Sequence, residues 1–196
     1  METNTPLIAL MGNPNSGKTA IFNLLTGMNQ KVSNYPGITV EKRKGTTLLA
    51  QNTQAEILDM PGTYSLTPES LDEKIVAQQV LDWMQEKEKP AAIISVVDAG
   101  NLSRNLYLTS QILDLDIPVI VALNMMDRVK RKNQDINCQA LKKMLGAAAV
   151  VPMSAREKWG IKELQQALTV IIQNKYTADK CGLKMKIPDS IIECID

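Results

Sequence analysis

Apolar runs of strand length recur along the chain at Leu7–Met11, Ile57–Met60, Ile93–Val97, Ile117–Leu123 and Val150–Met153. Between most of them the apolar residues fall at helical spacing instead. Leu71, Ile75 and Leu81 to Met84 mark one helix, and Leu102, Leu106 and Leu113 a second. Ile161, Leu164, Leu168 and Ile171 mark a third, on one face of a 3.6-residue period. Ile21-Phe22-Asn23-Leu24-Leu25 opens a further apolar-periodic segment, and Val40 to Leu49 reads as another strand. Leu141, Met144 and Leu145 carry ordinary core spacing. Continuous apolar strands alternating with amphipathic helices predict an α/β fold, a mostly parallel sheet with helices on both faces. In such sheets ligand-binding loops lie at the carboxyl ends of the strands.

Each motif in the chain falls just after one of those runs. Gly12-Asn13-Pro14-Asn15-Ser16-Gly17-Lys18-Thr19 stands where the first strand turns into a helix, the context of a phosphate-binding P-loop. Its glycines let the backbone curl around an anion at the positive end of the helix. Lys18 adds a point charge, and the Thr19 hydroxyl can hold Mg²⁺. The stretch Gly27 to Gly45 reads as a surface loop turning at Pro36-Gly37, or as a plain connection into the next strand. Beside a P-loop, Thr39 becomes a second hydroxyl ligand for Mg²⁺ on a loop that orders with a γ-phosphate.

Asp59-Met60-Pro61-Gly62 follows the second apolar run. Asp59 is placed to reach Mg²⁺ through a water, and the Gly62 N–H to meet the γ-phosphate. Thr63 to Pro68 then forms a natural second switch loop. Asn124-Met125-Met126-Asp127 and Ser154-Ala155-Arg156 follow the last two runs. The Asp127 carboxylate suits guanine, since it can accept from both N1–H and the exocyclic amine, whereas adenine offers neither pairing. Asn124 is expected to brace the base pocket, and the Ala155 N–H to meet the guanine oxygen. Any of these motifs singly could be a polar strand end; together and in order they leave that alternative little room.

Composition narrows the classes further. With 22 basic and 21 acidic residues the net charge is +1, which gives no footprint for nucleic acid. The absence of histidine excludes a Ser-His-Asp triad and imidazole ligands within this chain. Three cysteines without a C-x-x-C spacing argue for a reducing compartment. No apolar run approaches the roughly 20 residues needed to span a bilayer. The start of the chain lacks a secretory pattern, so a cytoplasmic location is expected.

The motifs together resemble a Ras-like small GTPase domain, and more narrowly the N-terminal G domain of the FeoB ferrous iron transporters. Asn34-Tyr35-Pro36-Gly37-Ile38-Thr39-Val40-Glu41, Asp59 to Leu66 and Val97 to Leu108 carry the narrower likeness, which covers about residues 5 to 172. Met125 stands where related GTPases carry lysine, a departure that implies lost packing over the P-loop and base. The resemblance implies a Ras-like P-loop fold, with a mostly parallel six-stranded sheet, one antiparallel strand and helices on both faces. It implies a G domain over residues 1–172, then a linker and the start of a truncated helical domain over 173–196. The whole protein would continue into a membrane domain, with this fragment at the cytoplasmic face of the bacterial inner membrane and a homo-oligomer possible.

The implied activity is binding and hydrolysis of GTP to GDP, with Mg²⁺ held by Thr19, Thr39 and Asp59, coupled to Fe²⁺ uptake. A stand-alone or regulatory GTP/GDP-sensing module is the alternative. Thr63 occupies the position of the water-orienting glutamine of Ras-like enzymes and is too short for that role. Water positioning is therefore assigned to main-chain groups around Gly37, Ile38 and Thr39. No arginine is an evident finger; Arg43 and Arg104 read as solvated surface residues. By resemblance to potassium-activated GTPases, Asn15 with the carbonyls of Ser33 and Tyr35 would hold an activating K⁺. The alternative for Asn15 is a residue that only caps its own turn. The cluster Arg128-Val129-Lys130-Arg131-Lys132 reads as a solvated loop or helix start rather than a membrane contact.

Overall fold

Ile8 and Leu10 point to one side of the first strand, Ala9 and Met11 to the other, and all four are buried. Such a strand must lie in the middle of a sheet covered on both faces. In the computed structural model, which describes residues 5–27, 30–35, 40–85 and 89–173, it does. The elements run β1 (Leu7–Gly12), α1 (Lys18–Thr26), β2 (Gln30–Asn34), β3 (Glu41–Leu48), β4 (Gln54–Asp59), α2 (Leu71–Met84), β5 (Ala92–Asp98) and α3 (Leu102–Leu113). They continue with β6 (Val119–Asn124), α4 (Met126–Arg131), α5 (Cys138–Leu145), β7 (Ala149–Pro152) and α6 (Ile161–Gln173).

The strands form one sheet in the order β2-β3-β4-β1-β5-β6-β7. β1, β4, β5, β6 and β7 pair in parallel, while β3 runs antiparallel to both β2 and β4. The sheet therefore has seven strands, not the expected six, with β3 as its antiparallel member. The additional strand is β2, which lies inside the stretch read as a surface loop. Its sequence, Gln-Lys-Val-Ser-Asn, is exposed at every position, so no apolar alternation marks it. It is an edge strand held by backbone pairing to β3, and lysine on such an edge discourages further pairing.

The core lies on both faces of the sheet. Phe22 and Leu25 of α1 and Leu164, Leu168 and Ile171 of α6 pack on Ile8, Leu10, Ile57, Ile94 and Ile120. On the opposite face Val76, Val80 and Trp83 of α2 and Leu108 and Ile112 of α3 cover Ala9, Met11, Leu58 and Ile93. A side chain of this size contributes about 1.5–3 kcal/mol when fully buried, so each helix is held by its apolar stripe. Beyond β6, Met126, Val129, Leu141 and Leu145 form a smaller cluster with Val121 and Leu123. Met144 departs from its expected core role and is 62% exposed. It lies beside Leu145 on a helix whose buried stripe is only Leu141 and Leu145, one turn apart.

The parallel strands share a direction, so their carboxyl ends, at Gly12, Asp59, Asp98, Asn124 and Pro152, meet at one edge of the sheet. That edge collects the P-loop, the Asp59 motif and both base motifs. Gly37, Ile38 and Thr39, and the tail expected as linker and helical segment beyond Gln173, lie outside the described residues. Among the described residues no helix is long and apolar enough to cross a membrane.

Candidate nucleotide-binding site

The P-loop leaves β1 at Gly12, where a Cβ would stand 2.7 Å from the Val96 carbonyl oxygen. Only glycine lets the chain turn so close to β5. Asn15 adopts a left-handed conformation, with φ of 63°, and the loop closes through Ser16 N–H donating to the Asn13 carbonyl at 3.2 Å. Gly17, with φ of 89°, then precedes α1 as its cap without a side-chain acceptor, and the first turn carries no acidic residue. The positive end of the helix thus meets no carboxylate of its own, the arrangement that favours an anion. Asn13 and Ser16 are buried, while Pro14, Asn15 and Thr19 are exposed. The Asn13 amide donates to the Arg104 carbonyl at 3.4 Å, tying the loop to the start of α3.

Lys18 donates to Asp59 Oδ1 at 2.6 Å, and both side chains are nearly enclosed, at 11% and 7% exposure. The pair joins the phosphate loop to the end of β4. Met60 is fully buried, Pro61 and Gly62 are half-buried, and Gly62 lies against Pro14. Thr63 N–H donates to the Gly12 carbonyl at 3.3 Å. Its buried hydroxyl donates to the Ser65 carbonyl at 2.6 Å and lies 3.2 Å from Glu73 Oε1. That hydroxyl joins the second switch loop to α2. Glu73 closes a capping box with Ser70 at the start of α2. Backbone N–H donation, first from Glu69, holds its carboxyl below the usual carboxylate range.

The base side of the site is bound to the phosphate side by one side chain. Asn124, at the end of β6, donates through Nδ2 to the Ser16 carbonyl at 2.9 Å and accepts through Oδ1 from the Ala155 N–H at 2.9 Å. The Ala155 N–H, expected to face a guanine oxygen, is thereby taken up by Asn124 in this structure. Met125 has a left-handed φ of 63°, and its Cε lies 3.8 Å from where a Gly17 Cβ would stand. The Met125 methyl group therefore lies near Gly17 of the P-loop. Met126 is buried, and its N–H donates to the Met153 carbonyl at 3.2 Å.

Asp127, also buried, accepts at Oδ1 from Ser154 Oγ at 2.8 Å and at Oδ2 from Arg131 Nη2 at 2.8 Å. Arg156 is exposed.

Of residues 37–41, Val40 and Glu41 are described; Glu41 opens β3 and pairs with Arg43 at 2.6 Å. Ser33 lies in β2 opposite Lys42. Tyr35 is 7% exposed and donates to Met60 Sδ at 3.7 Å. Burial, reinforced by the negative charge of Asp59, pushes its phenol up to about 12. A tyrosine ionises near pH 10 in an unfolded chain, so between about 10 and about 12 the unfolded state loses its proton first. Stability is therefore whole below pH 10 and falls as pH rises through that window. Urea unfolding across it is expected to show this fall, and Tyr35→Phe to remove it; an equal fall in Tyr35→Phe would reject the assignment.

Three contacts of basic side chains are not apparent from the sequence. Arg104, read as solvated, is exposed yet stacks on the Tyr64 ring at 4.2 Å, joining α3 to the second switch loop. The basic cluster 128–132 lies largely in α4, where Lys130 covers the Trp159 ring at 4.4 Å and Arg131 reaches Asp127. The i, i+4 spacing from Asp127 to Arg131 was the available signal.

The family model for ferrous iron transport protein B matches residues 6–168. The Fe²⁺ transporter FeoB of Legionella pneumophila (strain Paris) is 47% identical over 163 residues, covering 81% of this chain and 21% of that protein. The chain thus spans about a fifth of the length of the curated relatives it matches. Among solved structures, a variant of S. thermophilus NFeoB bound to GDP aligns with a TM-score of 0.79 and 40% identity, covering 88% of this chain and 65% of that one. The cytosolic domain of T. maritima FeoB in its GMPPNP form aligns with a TM-score of 0.76 and 36% identity, over 85% of this chain and 64% of that one. Strand order, the position of each motif and the reach of these alignments lead to one conclusion: the chain belongs to the FeoB family and has the Ras-like fold of the FeoB G domain.

Proposed function

We propose that this domain binds GTP with Mg²⁺, hydrolyses it to GDP and phosphate with K⁺ as activator, and gates Fe²⁺ uptake by a membrane transporter of which it is the cytoplasmic part. The observation that supports this best is the Asn124 side chain, which links the P-loop carbonyl of Ser16 to the Ala155 turn while Asp127 stands buried beside it. One ligand carrying phosphates at one end and a hydrogen-bonding base at the other suits such a connected site. Relatives of this domain bound to GDP or GMPPNP support the same reading.

The donor set suits a hard cation. The exposed Thr19 hydroxyl and the Asp59 carboxylate supply oxygen, the ligand type Mg²⁺ requires, with water and phosphate completing the shell. Thr19, Thr39 and Asp59 would hold the ion, which when bound neutralises charge between the phosphates. Lys18 and the N–H groups of the P-loop bind and orient the phosphate chain, and Gly62 N–H faces its end. Thr63 leaves the attacking water to main-chain groups of 37–39. Asn15, an exposed residue, with main-chain oxygens of Ser33 and Tyr35, would hold K⁺ where other GTPases receive an arginine worth about 10³–10⁵ in rate.

Single-turnover hydrolysis with Mg²⁺, compared in KCl and NaCl at equal ionic strength with ATP as control, tests the reading. Stimulation by K⁺ of about tenfold or more, no ATP turnover, and loss of stimulation in Asn15→Ala with GDP affinity retained are the expected results. Unchanged stimulation in Asn15→Ala would reject the K⁺ site. Absence of GTP turnover in either salt would reject the enzyme.

A further inference from the structure

We propose that Arg131 is a positioning residue for guanine selectivity: it fixes the Asp127 carboxylate from α4 so that both oxygens remain aligned for the two donors of the base. The proposal rests on the reading of Asp127 as the base-binding carboxylate.

Asp127 sits in the first turn of α4, 4% exposed at its side chain, with Arg131 one turn further along the same helix. Ser154 Oγ donates to Oδ1 and Arg131 Nη2 donates to Oδ2, each at 2.8 Å. An ionised carboxylate offers about two acceptor sites on each oxygen. One protein donor on each oxygen therefore leaves one site on each for a ligand. Anchored at both oxygens, the group cannot turn about its Cβ–Cγ bond without breaking a bond; anchored at Ser154 alone, it pivots.

The second anchor is also the charged one, and charge-assisted bonds are about twice as strong as neutral ones. An exposed ion pair contributes little, but here one member is desolvated.

Arg131 has a second acidic neighbour on the turn that carries Ser154. Its guanidinium lies 3.5 Å from Glu157 Oε1, and the Glu157 N–H donates to Ser154 Oγ at 3.2 Å. The neighbouring Lys130 covers Trp159, which exchanges two backbone hydrogen bonds of 3.2 Å with Ser154. Two consecutive cations of α4 thus fasten the helix to the 154–159 turn, the turn that supplies the other anchor of Asp127. Helix, carboxylate and turn form one frame around the base end of the site.

Guanine presents N1–H and an exocyclic amine, whereas hypoxanthine keeps N1–H and lacks the amine. A carboxylate free to pivot can still meet one donor but meets two poorly. Loss of Arg131 therefore weakens guanine more than hypoxanthine.

The test is competition of GDP and IDP against a fluorescent GDP analogue on the unaltered chain, Arg131→Ala and Arg131→Lys, with urea unfolding of each. Arg131→Ala is expected to lower the GDP-over-IDP preference by about three- to tenfold, and Arg131→Lys, which keeps a charged donor, to recover most of it. Equal weakening of GDP and IDP, or of neither, in Arg131→Ala would overturn the proposal, because a purely structural part in α4 lowers stability without moving the ratio. An unaltered chain that shows no preference for GDP over IDP or ADP would overturn the guanine reading of Asp127 and this proposal with it.

Discussion

Asp127→Asn is expected to turn the base preference of this domain from guanine to xanthine. The substitution keeps volume and shape but replaces one acceptor oxygen with a donor NH₂. Guanine brings two donors to this position, so one of them would face the new NH₂. Xanthine brings N1–H beside a carbonyl oxygen, which matches an amide. The surrounding contacts decide which way the amide faces. Arg131 donates to Oδ2 at 2.8 Å and cannot accept, so the amide oxygen must stay on that side. Ser154 now donates to Oδ1 at 2.8 Å, but a hydroxyl can rotate and accept from the NH₂ instead. The site thus tolerates the amide in one orientation without an unpaired group.

A buried polar group left facing the wrong partner can cost about 10⁴–10⁵ in discrimination. We expect GDP affinity to fall by about 10³ or more and XDP to bind in its place, read by competition binding. Retention of guanine preference in Asp127→Asn would mean that Asp127 does not face the base.

The second large effect is expected at Gly17. A Cβ there would overlap the Asn124 amide nitrogen. The φ of 89° adds strain for any other residue, about 1–2 kcal/mol for a left-handed L-residue. Displacing Asn124 also breaks its bonds to the Ser16 carbonyl and the Ala155 N–H, both 2.9 Å. Each buried group left unpaired costs about 1–3 kcal/mol. Gly17→Ala is therefore expected to lose about 3–8 kcal/mol in urea unfolding and to abolish nucleotide binding.

Removing the obstructing side chain separates these causes. Adding Gly17→Ala to Asn124→Ala should cost only the backbone strain, so the double variant lies above the sum of the singles. A strictly additive double variant would show that Asn124 is not what Gly17 must avoid. Nucleotide binding stays weak in the double variant in either case, since the link between P-loop and base turn is gone.

Most of the architecture is legible along the chain because its signals are local. β1, β5 and β6 are buried at nearly every position, so their apolar runs are nearly continuous in sequence, broken in β5 only by Ser95. Helix α6 shows its stripe at 3.6-residue spacing because only one face meets the sheet. In α2 only Ile75 and Trp83 of the expected stripe are buried, with Val76 and Val80, while Leu71, Leu81 and Met84 are exposed; α3 buries Leu108 and Ile112 and leaves Leu102, Leu106 and Leu113 half-buried. β2 was illegible for the opposite reason: it is exposed throughout and owes its strand geometry to β3. Met144 shows the limit of spacing alone, since a helix of two turns that rests on Leu141 and Leu145 leaves its neighbour outside.

The sequence by itself determined the order of the motifs, the strand ends they occupy and the kind of ligand each residue type suits. Those follow from side-chain chemistry and from periodicity within a few residues. The tertiary structure alone decided which groups are already paired. It brought Asn124 onto Ser16, 108 positions away, and Ala155 onto Asn124. It enclosed Tyr35 beside Met60 and Asp59, and set Lys130 and Arg131, which stay exposed as expected, against Trp159 and Asp127. Pairing of this kind depends on how parallel strands align their ends, and that alignment is set by the burial of whole faces rather than by any local stretch of residues.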